Sequence, residues 1–130
     1  MIALDTNILA RLLLQDDAAQ FARAKSLLAS VQAFTAPITV FLELVWVLEA
    51  NDCAPADIQR GISLLLGLPN FNTPHAAPLQ QALGNYVQGM DFADALHLSL
   101  SQAEEEFMTF DKAFAKKATK AALAPPIKLA

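Results

Sequence analysis

Short apolar runs alternate along this chain with longer stretches whose apolar residues recur at helical spacing, and no other feature limits its fold as much. Residues 1–4 read as a short buried strand, after which Thr6-Asn7 turns the chain into a helix carrying Ile8, Leu9, Leu12 and Leu13. Asp16-Asp17 is a cap for a second helix, on which Phe21, Ala24, Leu27, Leu28 and Val31 fall at helical spacing. Residues 33–36 form a brief strand, and Pro37 suits the first turn of a helix reaching about residue 50. Pro55 opens another helix, with Ile58, Ile62, Leu65 and Leu66 on one face and Gly67 and Pro69 at its end. Residues 71–73 read as a minor strand. Pro78 starts a helix with Leu79, Ala82, Leu83, Tyr86 and Val87 on one side, stopped by Gly89. The pattern then predicts helix from 91 to about 103, strand over 106–110, helix from 111 to about 121, and a last edge strand over 125–129.

Strands alternating with helices imply parallel strands joined by right-handed crossovers, with helices on both faces. The expected architecture is α/β, a three-layer α/β/α sandwich with a short central parallel sheet. With 130 residues and no repeat, low-complexity segment or internal linker, one domain over 1–130 is expected. Ligands of such sheets bind outside the carboxyl ends of the strands, and carboxylates gather there. Asp5 closes the opening apolar run, and Asp111 follows Phe107-Met108-Thr109-Phe110. Glu43 is the only charge between Ile38 and Leu48, while Asp91 and Asp94 open an apolar segment running to Leu98. An unpaired buried carboxylate is strongly unfavourable. So many at the rims of one small core point to a cation among them, and hard oxygen donors suit Mg²⁺ or Mn²⁺.

Each acid also has a plainer use. Asp5 can cap the first helix, although Asn7 could do that too and Asp5-Thr6-Asn7 offers more polar groups than one cap uses. Glu43 could be a partly exposed residue at a subunit boundary. Its helical neighbours Val40, Phe41, Trp46 and Val47 are poor solvent residues, which favours a site. An Asp with an acid three residues later is an ordinary helix start, yet Asp91, Asp94, His97 and Ser101 form one polar stripe on a segment apolar elsewhere. Asp94, a turn inside that helix, is not explained by capping. Asp111 can cap its own helix and draws its weight from the set. His97 reads as a structural histidine, because a carboxylate-rich site has no need of imidazole. Lys112, Lys116 and Lys120, spaced by four, read as a solvated face near a helix C-terminus.

The net charge of −4 speaks against a nucleic-acid partner until its distribution is considered. Five of the nine basic residues, Lys112, Lys116, Lys117, Lys120 and Lys128, lie in the last nineteen positions. Divalent ions among the acids would cancel much of the deficit locally, so a phosphodiester substrate is compatible with the charge. Hydrophobic residues make up 55% of the chain, but no apolar run approaches the ~18 to 20 residues of a membrane span. The excess predicts a subunit or partner interface, with the Ile58/Ile62/Leu65 and Leu79/Leu83/Tyr86 faces as candidates, either of which could equally be core. Cys53 stands alone, and the strand-like start lacks the basic region of a secretory signal. A cytoplasmic protein is the default expectation.

Four blocks carry a family resemblance: Met1-Ile-Ala-Leu-Asp5-Thr6-Asn7-Ile-Leu, Thr39-Val-Phe-Leu-Glu43-Leu, Asp91-Phe-Ala-Asp94-Ala-Leu-His-Leu and Thr109-Phe-Asp111-Lys-Ala-Phe. In this order they resemble the PIN-domain family, and within it the VapC-type ribonuclease toxins of toxin–antitoxin pairs. The resemblance implies an acidic quartet of Asp5, Glu43, Asp94 and Asp111, with Asp91 as an auxiliary carboxylate and Thr6, Asn7 and Thr109 as supporting polar positions. It implies Mg²⁺- or Mn²⁺-dependent RNA hydrolysis with one or two ions, direct attack by water, and a cognate antitoxin partner. A homodimer is expected to cover the apolar excess. Arg11, one turn beyond Asn7, and Lys112, next to Asp111, are expected to contact RNA phosphates. Two alternatives compete: a catalytically silent PIN-like module that binds a protein, and an acidic-pocket phosphotransfer domain. The second groups its acids near the first strand and places a late Lys at a strand end, where this chain has Asp111.

Overall fold

The computed structural model describes every residue except Val31, so the expectation that Val31 continues a helical face lies outside the described residues. The chain gathers into two compact units, Met1–Ala76 and Ala77–Ala130. Its elements are those of a mixed α/β chain of the expected class, with seven helices and four short strands among the described residues.

In the first unit, β1 (Ile2–Ala3) runs parallel to β2 (Phe34–Thr35), pairing Ile2 with Phe34 and Ala3 with Thr35. Between them come α1 (Thr6–Leu14) and α2 (Ala18–Ser30), and after them α3 (Ile38–Ala50) and α4 (Pro55–Leu66). Local chemistry sets most helix starts. Asp5 caps α1, Asp17 accepts from the Gln20 amide at 3.0 Å before α2, and Pro55 occupies the first turn of α4. α1 ends at Gln15, which adopts a left-handed φ of 55° and returns its N–H to the Arg11 carbonyl. Phe34, Phe41 and Phe71 form the aromatic centre of this unit, with edge-on ring centroids 4.9 Å and 6.0 Å apart. The minor strand expected over 71–73 reduces to one bridge, Phe71 to Phe34.

From its second residue on, α5 (Ala76–Val87) belongs to the second unit, where it is followed by α6 (Phe92–Leu100), β3 (Phe107–Thr109), α7 (Lys112–Lys120) and β4 (Ile127–Leu129). β3 and β4 are parallel, with Phe107 opposite Ile127, Met108 opposite Lys128 and Thr109 opposite Leu129. α7 packs beside β4. Gly89, at φ 110°, takes a backbone form that side chains disfavour and separates α5 from α6. α6 stops at Leu100, three residues short of the expected end. The Ser101 hydroxyl donates to the His97 carbonyl and the Glu104 amide to the Ser101 carbonyl, so a turn replaces the last helical turn.

Burial decides between the two readings of the candidate faces in favour of core. Ile58, Ile62, Leu65, Leu79, Leu83 and Tyr86 are all core residues, at most 7% exposed. The large apolar side chains left on the surface include Trp46 (70% exposed), Leu64, Met108 and Phe110 (84%). None of the described helices is long and apolar enough to cross a membrane.

Candidate functional site

The first unit builds an acidic cavity where β1 hands over to α1 and α1 packs on α3. Asp5 sits at the strand's carboxyl end, and its Oδ1 accepts from the Thr6 amide at 2.7 Å. One carboxylate oxygen is thereby anchored, and the group is held at the positive end of the α1 dipole. Glu43 projects from α3, whose neighbouring Phe41, Leu44 and Val45 are buried. Asp5, Thr6, Asn7, Arg11, Asp16 and Glu43 all line one cavity of about 350 Å³. Buried Ala10 also lines it and keeps the α1 side small there.

Among the described residues, two side-chain polar atoms of this unit are buried without a hydrogen-bond partner, the Thr6 hydroxyl and the Arg11 Nε. Each such omission costs about 1–3 kcal/mol unless something else supplies the bond. Arg11 is otherwise committed: its Nη1 donates to both Asp16 carboxylate oxygens, at 2.7 Å and 2.9 Å. That hydrogen bond holds the Asp16 carboxyl below its usual value against an opposing effect of desolvation, with the guanidinium charge adding to the lowering.

The second unit assembles three carboxylates from helix caps. Asp91 caps α6, its Oδ2 accepting from the Asp94 amide at 3.1 Å. Asp111 caps α7, its Oδ1 accepting from the Phe114 amide at 3.0 Å. Thr109 orients that cap from the end of β3, its hydroxyl accepting from the Asp111 amide at 3.0 Å. Asp94 lies half-buried one turn into α6. Burial raises its carboxyl above the usual value, and the charges of Asp91 and then Asp111 push it the same way. His97 and Lys117 oppose this more weakly. Lys117 is itself held, its Nζ donating to the Gly89 carbonyl at 3.0 Å.

The sequence-derived positions thus fall into two groups. Asp5, Glu43, Thr6, Asn7 and Arg11 meet at the cavity of the first unit. Asp91, Asp94 and Asp111 interact in the second, with Thr109 behind Asp111. Lys112 is exposed next to Asp111. Asp16 and Lys117 were not singled out for these roles by sequence reasoning. The Arg11–Asp16 pair spans a helix end and depends on the left-handed Gln15, and Lys117 reaches a carbonyl 28 residues away. Spacing along the chain announces neither.

Among the described residues, no three His, Cys, Asp or Glu side chains converge closely enough to cage an ion. The donor chemistry nevertheless suits a hard divalent cation. All the acids offer carboxylate oxygen, the raised Asp94 carboxyl marks a half-buried acid beside two others, and the Thr6 hydroxyl beside Asp5 and Glu43 lacks a partner. Asp5, Asp91 and Asp111 each use one oxygen in a cap and keep the other.

Residues 2–120 match the family model of the PIN domain, which includes every one of these acids. PIN domains are generally nucleases and typically work with divalent metal ions. No curated protein matches the chain.

Proposed function

We propose that this chain, which belongs to the PIN-domain family, is a metal-dependent endoribonuclease, the toxin of a toxin–antitoxin pair, with Asp5, Glu43, Asp94 and Asp111 as its working carboxylates. The observation that carries the reading is the family match over 2–120 together with the charge strain at Asp94, an acid that no cap or ion pair explains.

The four acids would hold one or two Mg²⁺ or Mn²⁺ ions, with Asp91 assisting. When bound, such an ion acts as a Lewis acid and lowers the pKa of water, which supplies a nucleophile at neutral pH. The chain's own residues do the rest. Thr109 fixes the Asp111 backbone, and the α7 cap fixes one carboxylate oxygen, so the other is presented without side-chain freedom. The Thr6 amide does the same for Asp5, and the Thr6 hydroxyl and Asn7 offer polar contacts beside it. Lys112 and Arg11 supply positive charge to flanking phosphates. Cys53 is half-buried and unpaired, its Sγ turned to the Asn51 carbonyl, which leaves direct water attack as the economical route.

The antitoxin and a second copy of the chain are the proposed partners, covering exposed apolar side chains such as Trp46 and Leu64. The cytoplasm is the proposed setting, and one domain over 1–130 the proposed organisation. The rival reading, a catalytically silent interaction module, draws on one observation: no three ligating side chains converge among the described residues. Incubating the purified protein with RNA, with and without Mn²⁺, and mapping the cut ends decides between them. Metal-dependent internal cuts support the nuclease; intact RNA at millimolar Mn²⁺ across varied substrates sinks it.

A further inference from the structure

A second cavity of the first unit, about 360 Å³, opens between α1 and α2 and plays no part in holding the acids. Asn7, Ile8 and Arg11 line it from α1, and Gln20, Arg23 and Leu27 from α2. Its volume is within the range of small-ligand sites. Asn7 and Arg11 also line the Asp5–Glu43 cavity, so the two share a wall.

We infer that this α1–α2 cavity is a subsite for the nucleotide adjoining the cleaved phosphodiester of a single-stranded RNA, with Arg11 and Arg23 holding its phosphate; the inference rests on the nuclease reading above. Three observations support it. Arg11 and Arg23 both line one small cavity, and among the described residues Arg23 has no ion pair to neutralise it. Arg11 uses only Nη1 on Asp16, and among the described residues its Nη2 donates to no protein group, so that nitrogen remains for an anion. A guanidinium N–H left over in this way gives a phosphate oxygen a charge-assisted hydrogen bond. The remaining lining is mixed in the way a nucleotide requires: Ile8 and Leu27 give apolar surface for a base, and Gln20 and Asn7 give amides for its edge. A strand whose scissile phosphate lies against Asp5 and Glu43 needs its neighbour held beside them, and the shared wall supplies that continuity.

The test is fluorescence-anisotropy titration of a labelled, random-sequence 20-nucleotide single-stranded RNA against the full chain without divalent metal, at several salt concentrations. Cleavage by the unaltered protein in Mn²⁺ is assayed alongside. Arg23→Ala, at an exposed position, is expected to fold normally and weaken binding about tenfold, as removal of a charge-assisted hydrogen bond does. Its salt slope should flatten by ~0.7 for each phosphate that is no longer neutralised. Arg11→Lys, which keeps charge but loses the fork, should weaken binding without flattening the slope. Unchanged affinity and slope in Arg23→Ala, with the unaltered protein still cutting RNA, overturns the subsite and leaves the nuclease standing. Neither binding nor cutting by the unaltered protein overturns both. If Arg23→Ala instead abolishes capture of a Glu-rich peptide and leaves RNA unmoved, the cavity belongs to a protein partner and the inference fails.

Discussion

The two acidic groups solve opposite problems. In the second unit, caps on α6 and α7 place Asp91 and Asp111 where their charges bear on half-buried Asp94, and the group is strained when its carboxyls are ionised. In the first unit, Asp5 and Glu43 line an open cavity with a cation in its wall, and the strain appears instead as unmet hydrogen bonds at the Thr6 hydroxyl and Arg11 Nε. One group lacks positive charge and the other lacks hydrogen-bond partners. On the proposed function, a divalent ion would answer the first deficit, and substrate or water reaching the cavity would answer the second. The contrast gives each group its own experimental signature.

The largest effect should come from the quartet itself. Replacing Asp5, Glu43, Asp94 or Asp111 with its amide removes charge at nearly constant shape, and the caps at Asp5 and Asp111 tolerate Asn. Each variant should fold and lose about a hundredfold or more of Mn²⁺-dependent cleavage, measured with a fluorogenic RNA. Asp91→Asn should lose less. Full activity in any one of the four would remove that residue from the set.

Thr109 and Thr6 separate the groups next. Thr109→Val deletes the hydroxyl that accepts from the Asp111 amide. It should cost roughly tenfold in cleavage, the ordinary toll of a lost supporting bond, together with some stability. Thr6→Val deletes a hydroxyl that bonds to nothing among the described residues. Its metal-free stability should hold or rise while cleavage falls. A clear loss of stability in Thr6→Val, read by chemical denaturation, would show that the hydroxyl has a structural partner and weaken its assignment to the site.

The strain in the second unit should be visible in pH dependence. A carboxyl whose folded pKa lies above its unfolded value holds its proton more tightly in the folded state. Without metal, the Asp94 penalty is absent below the ordinary value of 3.8, grows as pH rises from there, and is complete above the raised folded value. In EDTA, Asp94→Asn should therefore gain stability over the parent at neutral pH and match it in acid. Added Mn²⁺ should raise the melting temperature of the parent more than that of the variant. A parent–variant difference that does not change with pH would mean that Asp94 is strained by something other than its charge.

How far the sequence reaches is clear from particular residues. The helix starts at Asp5, Asp17, Pro55, Asp91 and Asp111 are legible because capping is local: a side chain serves an amide at most three residues away. Of the proposed acids, Asp5, Asp91 and Asp111 are legible for the same reason, each being a cap, while Glu43 and Asp94 stand out because capping does not explain them. The end of α6 is not legible, since Gln102, Ala103 and Glu104 are good helix formers and no breaker follows Leu100. Helical periodicity finds the Ile58/Ile62/Leu65 and Leu79/Leu83/Tyr86 faces but cannot say what covers them. The structure turns both into the core while leaving Trp46, beside Glu43 in the apolar run, 70% exposed. The α1–α2 cavity is beyond sequence reasoning, because it exists only once two helices have packed.

The smallest effect concerns Asp16, which holds Arg11 in the absence of substrate. Its carboxylate engages Nη1 through both oxygens, much as a phosphate would. If Arg11 serves RNA, Asp16 competes for the same charge, and weakening it should help binding. Asp16→Asn should therefore tighten the single-stranded RNA complex modestly and steepen its salt dependence, since a fuller positive charge then meets the phosphates. Stability should change little, because an exposed ion pair contributes little. The small part that Asp16 contributes should be present above pH 3.8 and vanish as acid protonates its lowered carboxyl. The second unit gives the control: Lys117 spends its charge on a carbonyl rather than an acid, so Gly89→Ala should leave the salt slope alone even where it disturbs the turn. Weaker RNA binding by Asp16→Asn would mean that the carboxylate positions Arg11 rather than competing for it. The first unit's cation would then be prearranged by its partner, just as the second unit's acids are by their caps.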